Sequence, residues 1–418
     1  MKKILIITYY WPPAGGAGVQ RWLKFSKYLP EYGYTPIILT VNENYANYPQ
    51  IDTKLENEIS NNLKIHKTKT FEIFSIYQKL ISNKEMPYGG FANENNPSLL
   101  KKIARFIRGN FFIPDPRKGW NKYAYKKALE IIKNNNIDTI ITTSPPHSTQ
   151  LIGLKLKKKT NIKWIADIRD PWTEIYYNKE FYKTSFANKL DYKYEQQVIN
   201  NADKVIVVSN SIKQAFSKNK KELLNKINII SNGFDTDDII ESSNSNNNKI
   251  NIVYTGTISD IYPMNIFIDA IKLLSNKNIS IKLVGQVNEI FKQKIETEKL
   301  TNIFEFVGQV SHEESLEYLS KADIALLLIP EIKDNKGILT GKFFEYLGSK
   351  KIILAIGPSD GDVAKIIKKT NSGEMIEYND INSIINFINN FNNNKYSFEG
   401  IKEYSRKELT NKLIKLLN

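Results

Sequence analysis

A lysine and a glutamate three residues apart, Lys342 and Glu345 in Thr340-Gly341-Lys342-Phe343-Phe344-Glu345-Tyr346-Leu347, fall on one face of a helix within its first turns. Thr340 has the chemistry of an N-cap, and the N–H groups from Gly341 onward would be free to meet an anion. Add the lysine charge and a carboxylate able to accept two ribose hydroxyl protons, and the arrangement suits a nucleoside diphosphate. A solvated Lys–Glu pair would read the same way. Glycines offer a second place for such a ligand. Gly15 and Gly16, in Pro12-Pro13-Ala14-Gly15-Gly16-Ala17-Gly18, stand between a short apolar run and a helical pattern that begins near Val19. They let backbone N–H groups approach a phosphate or sugar, although a tight structural turn explains them equally well. Arg21, one turn into that helix, faces either the ligand or solvent. Gly256, with Thr257 beside it, and Gly285 follow the apolar runs Ile252–Thr255 and Leu283-Val284, where they would border a cleft.

Acid–base chemistry has few candidates. There are three histidines and no cysteine, so thiolate nucleophiles, thiolate metal sites and disulfides are excluded. His147 follows a predicted strand in Ser144-Pro145-Pro146-His147-Ser148, the position at which ligands bind in open parallel sheets; it either meets a ligand or satisfies nearby backbone groups. Ser148 is the expected cap of the next helix. His312 sits in the capping box Ser311-His312-Glu313-Glu314 and reads as a helix-start residue, and His66 has no motif around it. Asp167, Arg169 and Asp170, in Asp167-Ile168-Arg169-Asp170-Pro171-Trp172, place three charges at another strand end. They form either a structural ion pair or an acid–base cluster on the acceptor side of a cleft. Asp235-Thr236-Asp237 matches an Asp-x-Asp metal pattern, but it lies in a linker without a second carboxylate cluster, so no metal is expected.

The elements that must carry these residues are short β-branched runs alternating with helical periods, which predicts parallel sheets wrapped by helices. Runs at Ile4–Ile7, Pro36–Val41, Thr139–Thr143, Trp164–Ile168 and Val205–Ser209 make a first unit. Runs at Ile250–Tyr254, Ile279–Val284, Phe304–Val307, Ile324–Ile329, Ile352–Ile356 and Glu374–Tyr378 make a second. The expected fold class is α/β: two Rossmann-like, doubly wound parallel-sheet domains facing a central cleft. The expected division is residues 1–233, with an insertion at about 42–118, then 234–395, then a C-terminal helix at 396–418 that could cross back to the first domain. The low-complexity stretch Glu241–Asn248 reads as linker.

Length, 418 residues, also favours two domains, and 41% hydrophobic with 25% charged residues is the balance of a soluble globular chain. No run is apolar and long enough to span a bilayer, and Ile4–Ile7 reads as a first strand rather than a signal segment; the lack of cysteine suits a reducing cytoplasm, the expected location. The net charge of +15 favours anionic partners, although no nucleic-acid-binding module is recognisable. In Leu99–Arg108, Leu99, Ile103, Phe106 and Ile107 share one helical face, with Lys101, Arg105 and Arg108 on another. That is either a basic helix lying on an anionic membrane surface or an ordinary surface helix with its apolar side inward. Lys155, Lys157, Lys158 and Lys159 add a second basic cluster.

Taken in order, the motifs at Pro12–Gly18, Ser144–Ser148, Asp167–Trp172, Asn232-Gly233-Phe234-Asp235 and Thr340–Leu347 resemble those of the group 1 (family 4) glycosyltransferases, especially enzymes of bacterial surface-polysaccharide assembly. The resemblance implies a GT-B fold and transfer of a sugar from a UDP-, GDP- or dTDP-linked donor to a lipid-linked or glycan acceptor. It also implies retention of configuration, with neither metal nor cofactor. By the same match Glu345 holds the donor ribose, Lys342 and the Gly15-Gly16 loop the diphosphate, and His147 lies near the reacting centre, with Asp167–Asp170 on the acceptor side. Two positions depart from the family pattern. The first glutamate of its Glu-x7-Glu pair is Gly337 here, and where many members carry Arg and Lys after the first strand of the second domain, this chain has Thr257 and no cation from Ser259 to Asn265. A sugar-nucleotide epimerase of the same architecture and a catalytically silent sugar-nucleotide-binding subunit are the alternatives.

Overall fold

The computed structural model describes residues 1–71, 98–218, 220–240, 249–274 and 278–418. The linker reading at Glu241–Asn248 and the middle of the 42–118 insertion lie outside the described residues. Contacts divide the chain into two compact units, Met1–Ser231 with Leu409–Asn418, and Asn232–Glu408.

The first unit is built on a seven-stranded sheet in the order β3-β2-β1-β4-β5-β6-β7, every neighbour parallel. Its strands are β1 (Lys2–Ile7), β2 (Tyr34–Val41), β3 (Lys64–Thr68), β4 (Thr139–Ser144), β5 (Lys163–Ile168), β6 (Lys204–Val207) and β7 (Ile227–Ile229). Between them run helices α1 (Ala17–Tyr28), α2 (Leu99–Phe111), α3 (Asn121–Asn135), α4 (Ser148–Thr160), α5 (Ser185–Asn201) and α6 (Asn210–Ser217). A parallel sheet is covered on both faces, so its central strands are apolar at every position rather than at alternate ones. Accordingly Leu5 and Ile7 pack with Trp120, Ile140 and Trp164 on one face, while Ile4 and Ile6 pack with Trp22, Ile141 and Ile165 on the other. That second face is completed by Leu409, Leu413 and Leu417, which repeat every fourth residue along the last helix.

The second unit carries a six-stranded parallel sheet in the order β10-β9-β8-β11-β12-β13. The strands are β8 (Ile250–Thr255), β9 (Ile279–Val284), β10 (Phe304–Gly308), β11 (Ile324–Leu328), β12 (Ile352–Ile356) and β13 (Gly373–Ile376). Its helices are α7 (Met264–Leu273), α8 (Glu289–Thr297), α9 (His312–Ser320), α10 (Gly341–Gly348), α11 (Asp362–Thr370) and α12 (Ile381–Asn389), and α13 (Arg406–Leu417) leads out of the unit. Ile252, Tyr254 and Leu326 face one core and Ala325, Leu327 and Ile353 the other. No described helix is long and apolar enough to cross a membrane.

Strands β3 and β7 were not expected. Both are sheet edges, and edges need no continuous apolar run: β3 reads Lys64-Ile65-His66-Lys67-Thr68 and has no buried residue. The insertion is therefore not uniformly irregular, since it supplies β3 and α2. In each sheet the strand order reverses once, between β1 and β4 and between β8 and β11. Loops leaving the carboxyl ends of those strands diverge and leave a crevice, the place where open α/β sheets bind ligands.

Candidate functional site

In the first unit the glycine turn leaves β1 and is tied down on one side. Gly15 N–H donates to the Gln50 carbonyl at 3.0 Å and Ala14 bridges Ile51, so a side chain at position 15 would press on Gln50 and Asp52. Gly16 adopts φ 97°, which favours glycine. Gly18 is needed for a different reason: the Arg169 guanidinium lies against it, and an added Cβ would sit 2.4 Å from Nη1.

Arg21 and Asp167 meet each other and are fully enclosed. The Arg21 Nη2 donates to Asp167 Oδ1 at 2.9 Å and Nε to Oδ2 at 3.2 Å, while Nη1 and Nη2 also donate to the carbonyls of Ser231 and Ile230. Asp167 accepts further from the Trp22 indole and the Thr143 hydroxyl. Every polar atom of the pair is occupied, so the expectation that Arg21 binds the donor and Asp167 does acid–base work gives way to a positioning role. The pair locks α1 to the ends of β4, β5 and β7.

The groups left at the carboxyl ends of β4 and β5 are His147, Arg169 and Asp170. The His147 ring stacks on Trp172 with centroids 4.7 Å apart, and its Nδ1 is buried without a hydrogen-bond partner. Loss of solvent, with Lys183 and Arg169 adding repulsion, pushes its pKa down to about 3, so the imidazole is neutral at physiological pH. The cap of α4 is not Ser148: Asp115 accepts from both the Ser148 N–H at 2.7 Å and its hydroxyl at 2.8 Å. Arg169 Nε donates to the Ser144 carbonyl at 2.9 Å. Half-buried Asp170 accepts no hydrogen bond from any described residue, and burial raises its pKa against the lowering effect of Arg169.

In the second unit Gly256 ends β8 at φ 107°, and Gly285, at φ 131°, packs so closely that a Cβ there would lie 2.3 Å from the Gly256 carbonyl oxygen. The space above Gly256 is taken by the Lys342 ammonium, 2.8 Å from where a Cβ would stand. Half-buried Lys342 donates to the Tyr254 hydroxyl at 2.6 Å and lies over the rings of Tyr254 and Tyr262, with centroids 4.2 and 5.8 Å away. Tyr254 passes the contact on to the Thr257 carbonyl, while the Thr257 side chain is exposed. Among the described residues no carboxylate forms an ion pair with Lys342. Desolvation lowers its pKa to about 7, with Glu345 opposing.

Thr340 occupies the N-cap position of α10 but makes no capping bond, and its Oγ1 is buried without a partner. Glu345 is half-buried and accepts no hydrogen bond from a described residue. Burial raises its pKa, while His312, whose Nδ1 stands 4.0 Å from Oε1, pulls it back. His312 does begin α9 in a complete capping box, as expected, yet its ring points to Glu345. The aromatic seat of Lys342 was not anticipated, because tyrosines at a strand end and in a loop carry no signal of their own. Asp235 accepts from the Asp237 N–H as the cap of a short turn, which accounts for the Asp-x-Asp pattern.

With this geometry in place, a model described as Glycosyltransferase Family 4 matches residues 89–238, and one described as Glycosyl transferases group 1 matches residues 235–408. The chain belongs to the group 1, family 4 glycosyltransferases. It is a glycosyltransferase of the GT-B class, with two parallel-sheet α/β domains. Solved structures similar to this glycosyltransferase include a sucrose-phosphate synthase from Thermosynechococcus elongatus, 13% identical, TM-score 0.63, covering 100% of this chain and 98% of the other. Anabaena HepE in complex with UDP and glucose is 14% identical, TM-score 0.63, over 100% and 99%. A glycosyltransferase from Rickettsia africae is 18% identical, TM-score 0.63, over 100% and 98%. No curated protein matches the chain significantly.

Proposed function

We propose that this glycosyltransferase takes its sugar from a UDP-, GDP- or dTDP-linked donor and passes it, with retention and without a metal, to a lipid-linked or glycan acceptor in bacterial surface-polysaccharide assembly. The observation that carries the reading is the Lys342 ammonium, held against Gly256 at the start of α10 with no carboxylate among the described residues bonded to it. When the bond from sugar C1 to phosphate oxygen breaks, its electron pair stays on the departing nucleoside diphosphate. A fixed ammonium and the open N–H groups of α10 are the groups that meet this charge. Glu345, which accepts no hydrogen bond from a described residue, accepts from the ribose hydroxyls. In the first unit His147 offers its unpartnered Nδ1 to a sugar hydroxyl, and a neutral ring suits it to hydrogen bonding rather than proton donation. The acceptor hydroxyl oxygen forms the new bond to C1 on the face that the diphosphate leaves, so that configuration is kept, and we assign its proton to Asp170, whose raised pKa suits that task.

Anabaena HepE, of similar fold, is solved with UDP and glucose, which supports a nucleotide-sugar donor. The polysaccharide setting and the acceptor class are supported by the motif resemblance. Transfer is favoured over epimerisation because elimination chemistry would call for more acid–base groups than one neutral imidazole and one carboxylate. The test is release of nucleotide from a panel of UDP-, GDP- and dTDP-sugars in the presence of a chelator, with the product's anomeric configuration read by NMR. We expect one donor to be consumed and its configuration kept. Activity abolished by the chelator would overturn the metal-free reading, and an inverted product the stereochemical one.

A further inference from the structure

Helix α5 turns two carboxylates into the core. Its inward stripe runs Ala187, Asp191, Glu195, Val198 and Ile199, and the two acids, one turn apart, are 2% and 4% exposed. A helix gains most from an apolar inward stripe, and a buried carboxylate costs stability unless it is paired and hydrogen-bonded. Both acids are bonded, and each reaches the loop that follows β5. Asp191 Oδ1 accepts from the Trp172 indole N–H at 2.8 Å, and its Oδ2 accepts from the Lys183 ammonium at 2.5 Å. Glu195 Oε2 accepts from the Thr173 N–H at 2.9 Å and from the Thr173 hydroxyl at 2.8 Å. Two consecutive residues of the loop, just beyond Arg169 and Asp170, are thus held to consecutive turns of one helix.

The consequence falls on His147. Its Nδ1 has no hydrogen-bond partner, and its ring lies on the Trp172 indole with the two planes 12° apart. A stacked ring takes its tilt from its partner, and the indole is anchored by its single polar atom, Nε1. We infer that Asp191 is a positioning residue for the transfer: through the Trp172 indole it sets the direction in which His147 Nδ1 meets the sugar. The Lys183 ammonium neutralises the carboxylate, so the anchor leaves no unpaired charge in the core. Glu195 fixes the backbone beside it. The inference rests on the assignment of His147 to a sugar hydroxyl.

A double-mutant cycle on nucleotide release tests it, with the full chain and whichever UDP-, GDP- or dTDP-sugar it consumes. Asp191→Leu should lower the rate about fivefold, because a ring free to tilt meets the sugar less often. Asp191→Asn keeps an oxygen for the indole N–H and should stay within about a factor of two of the unaltered chain. His147→Phe should lower the rate about tenfold, and in that background Asp191→Leu should slow it no further, since the nitrogen it positions is gone. Trp172→Phe, which keeps a ring and loses the N–H, should give the same pattern and replaces the leucine variant if that fails to fold. An unslowed Asp191→Leu, equal slowing by asparagine and leucine, or further slowing in the phenylalanine background would assign Asp191 to the fold alone and overturn the inference, while leaving His147 in its role. Full rate in His147→Phe, or no donor consumed, would overturn both.

Discussion

Each unit places a cation and a carboxylate near the switch point of its sheet, and the two pairs are treated in opposite ways. Arg21 and Asp167 are fully enclosed, bonded to each other at two points and saturated by Trp22, Thr143 and two carbonyls. Lys342 and Glu345 are half-buried and unbonded to each other; the lysine leans on tyrosine rings, and the glutamate, 4.0 Å from the His312 ring, accepts no hydrogen bond from a described residue. A saturated pair has no capacity left for a ligand, whereas an unsatisfied one leaves desolvated charge that an incoming ligand relieves. The first pair therefore holds the architecture, and we assign the second to the substrate.

The largest expected effect follows from the saturated pair. Arg21→Met strands the Asp167 carboxylate in the core, and removing one partner of a buried ion pair costs about 3–5 kcal/mol. Urea unfolding of the variant should show that loss in the first unit's transition. A loss within experimental scatter would mean that the pair is dispensable and would erase the contrast. Lys342→Met should behave in the reverse manner: unchanged or higher stability, with turnover of the donor falling about 10²-fold. The pH dependence sharpens this. The folded lysine has a pKa of about 7 against 10.5 when free, so between those values the unfolded chain binds more protons. The penalty for burying the ammonium is full below about 7 and disappears as pH rises toward 10.5, so stability contributed at this position rises across that window. The methionine variant should lack the rise, and parallel stability curves for the two proteins would refute the assignment.

Much of the architecture is legible in the residues. Runs such as Ile4–Ile7 and Ile352–Ile356 are apolar throughout because both sheet faces are covered, and that pattern alone separates them from the helices. The edge strands β3 and β7 escape because one-sided, short pairing leaves no such run. The glycines and His147 could be placed at strand ends, and Lys342 in the first turn of a helix, from order along the chain. Whether a charged residue there is saturated could not, because the partners of Arg21 lie 146 and 210 residues away. Helix α2 turns its apolar side outward, and this escapes likewise: its periodicity defines an apolar face, but Arg105–Glu180 and Gly109–Phe181 decide where it points.

The smallest effect concerns His147, where the contrast between occupied and unoccupied groups narrows to one ring nitrogen. Its pKa of about 3, against 6.5 when free, means that below 6.5 the unfolded chain takes up a proton that the folded chain refuses. Stability contributed at this position is therefore constant above 6.5 and falls as pH drops toward 3, and His147→Asn should flatten that part of the curve. Because the ring stays neutral, His147 should add no inflection to the pH–rate profile between about pH 5 and 8, the interval in which an ordinary histidine titrates. His147→Phe preserves a ring over Trp172 while removing the nitrogen, so it isolates the hydrogen bond and should lower the rate about tenfold. If the phenylalanine variant kept full activity, Nδ1 would have no part in the reaction, and Asp170 would be left as the first unit's ligand-directed group beside the second unit's lysine and glutamate.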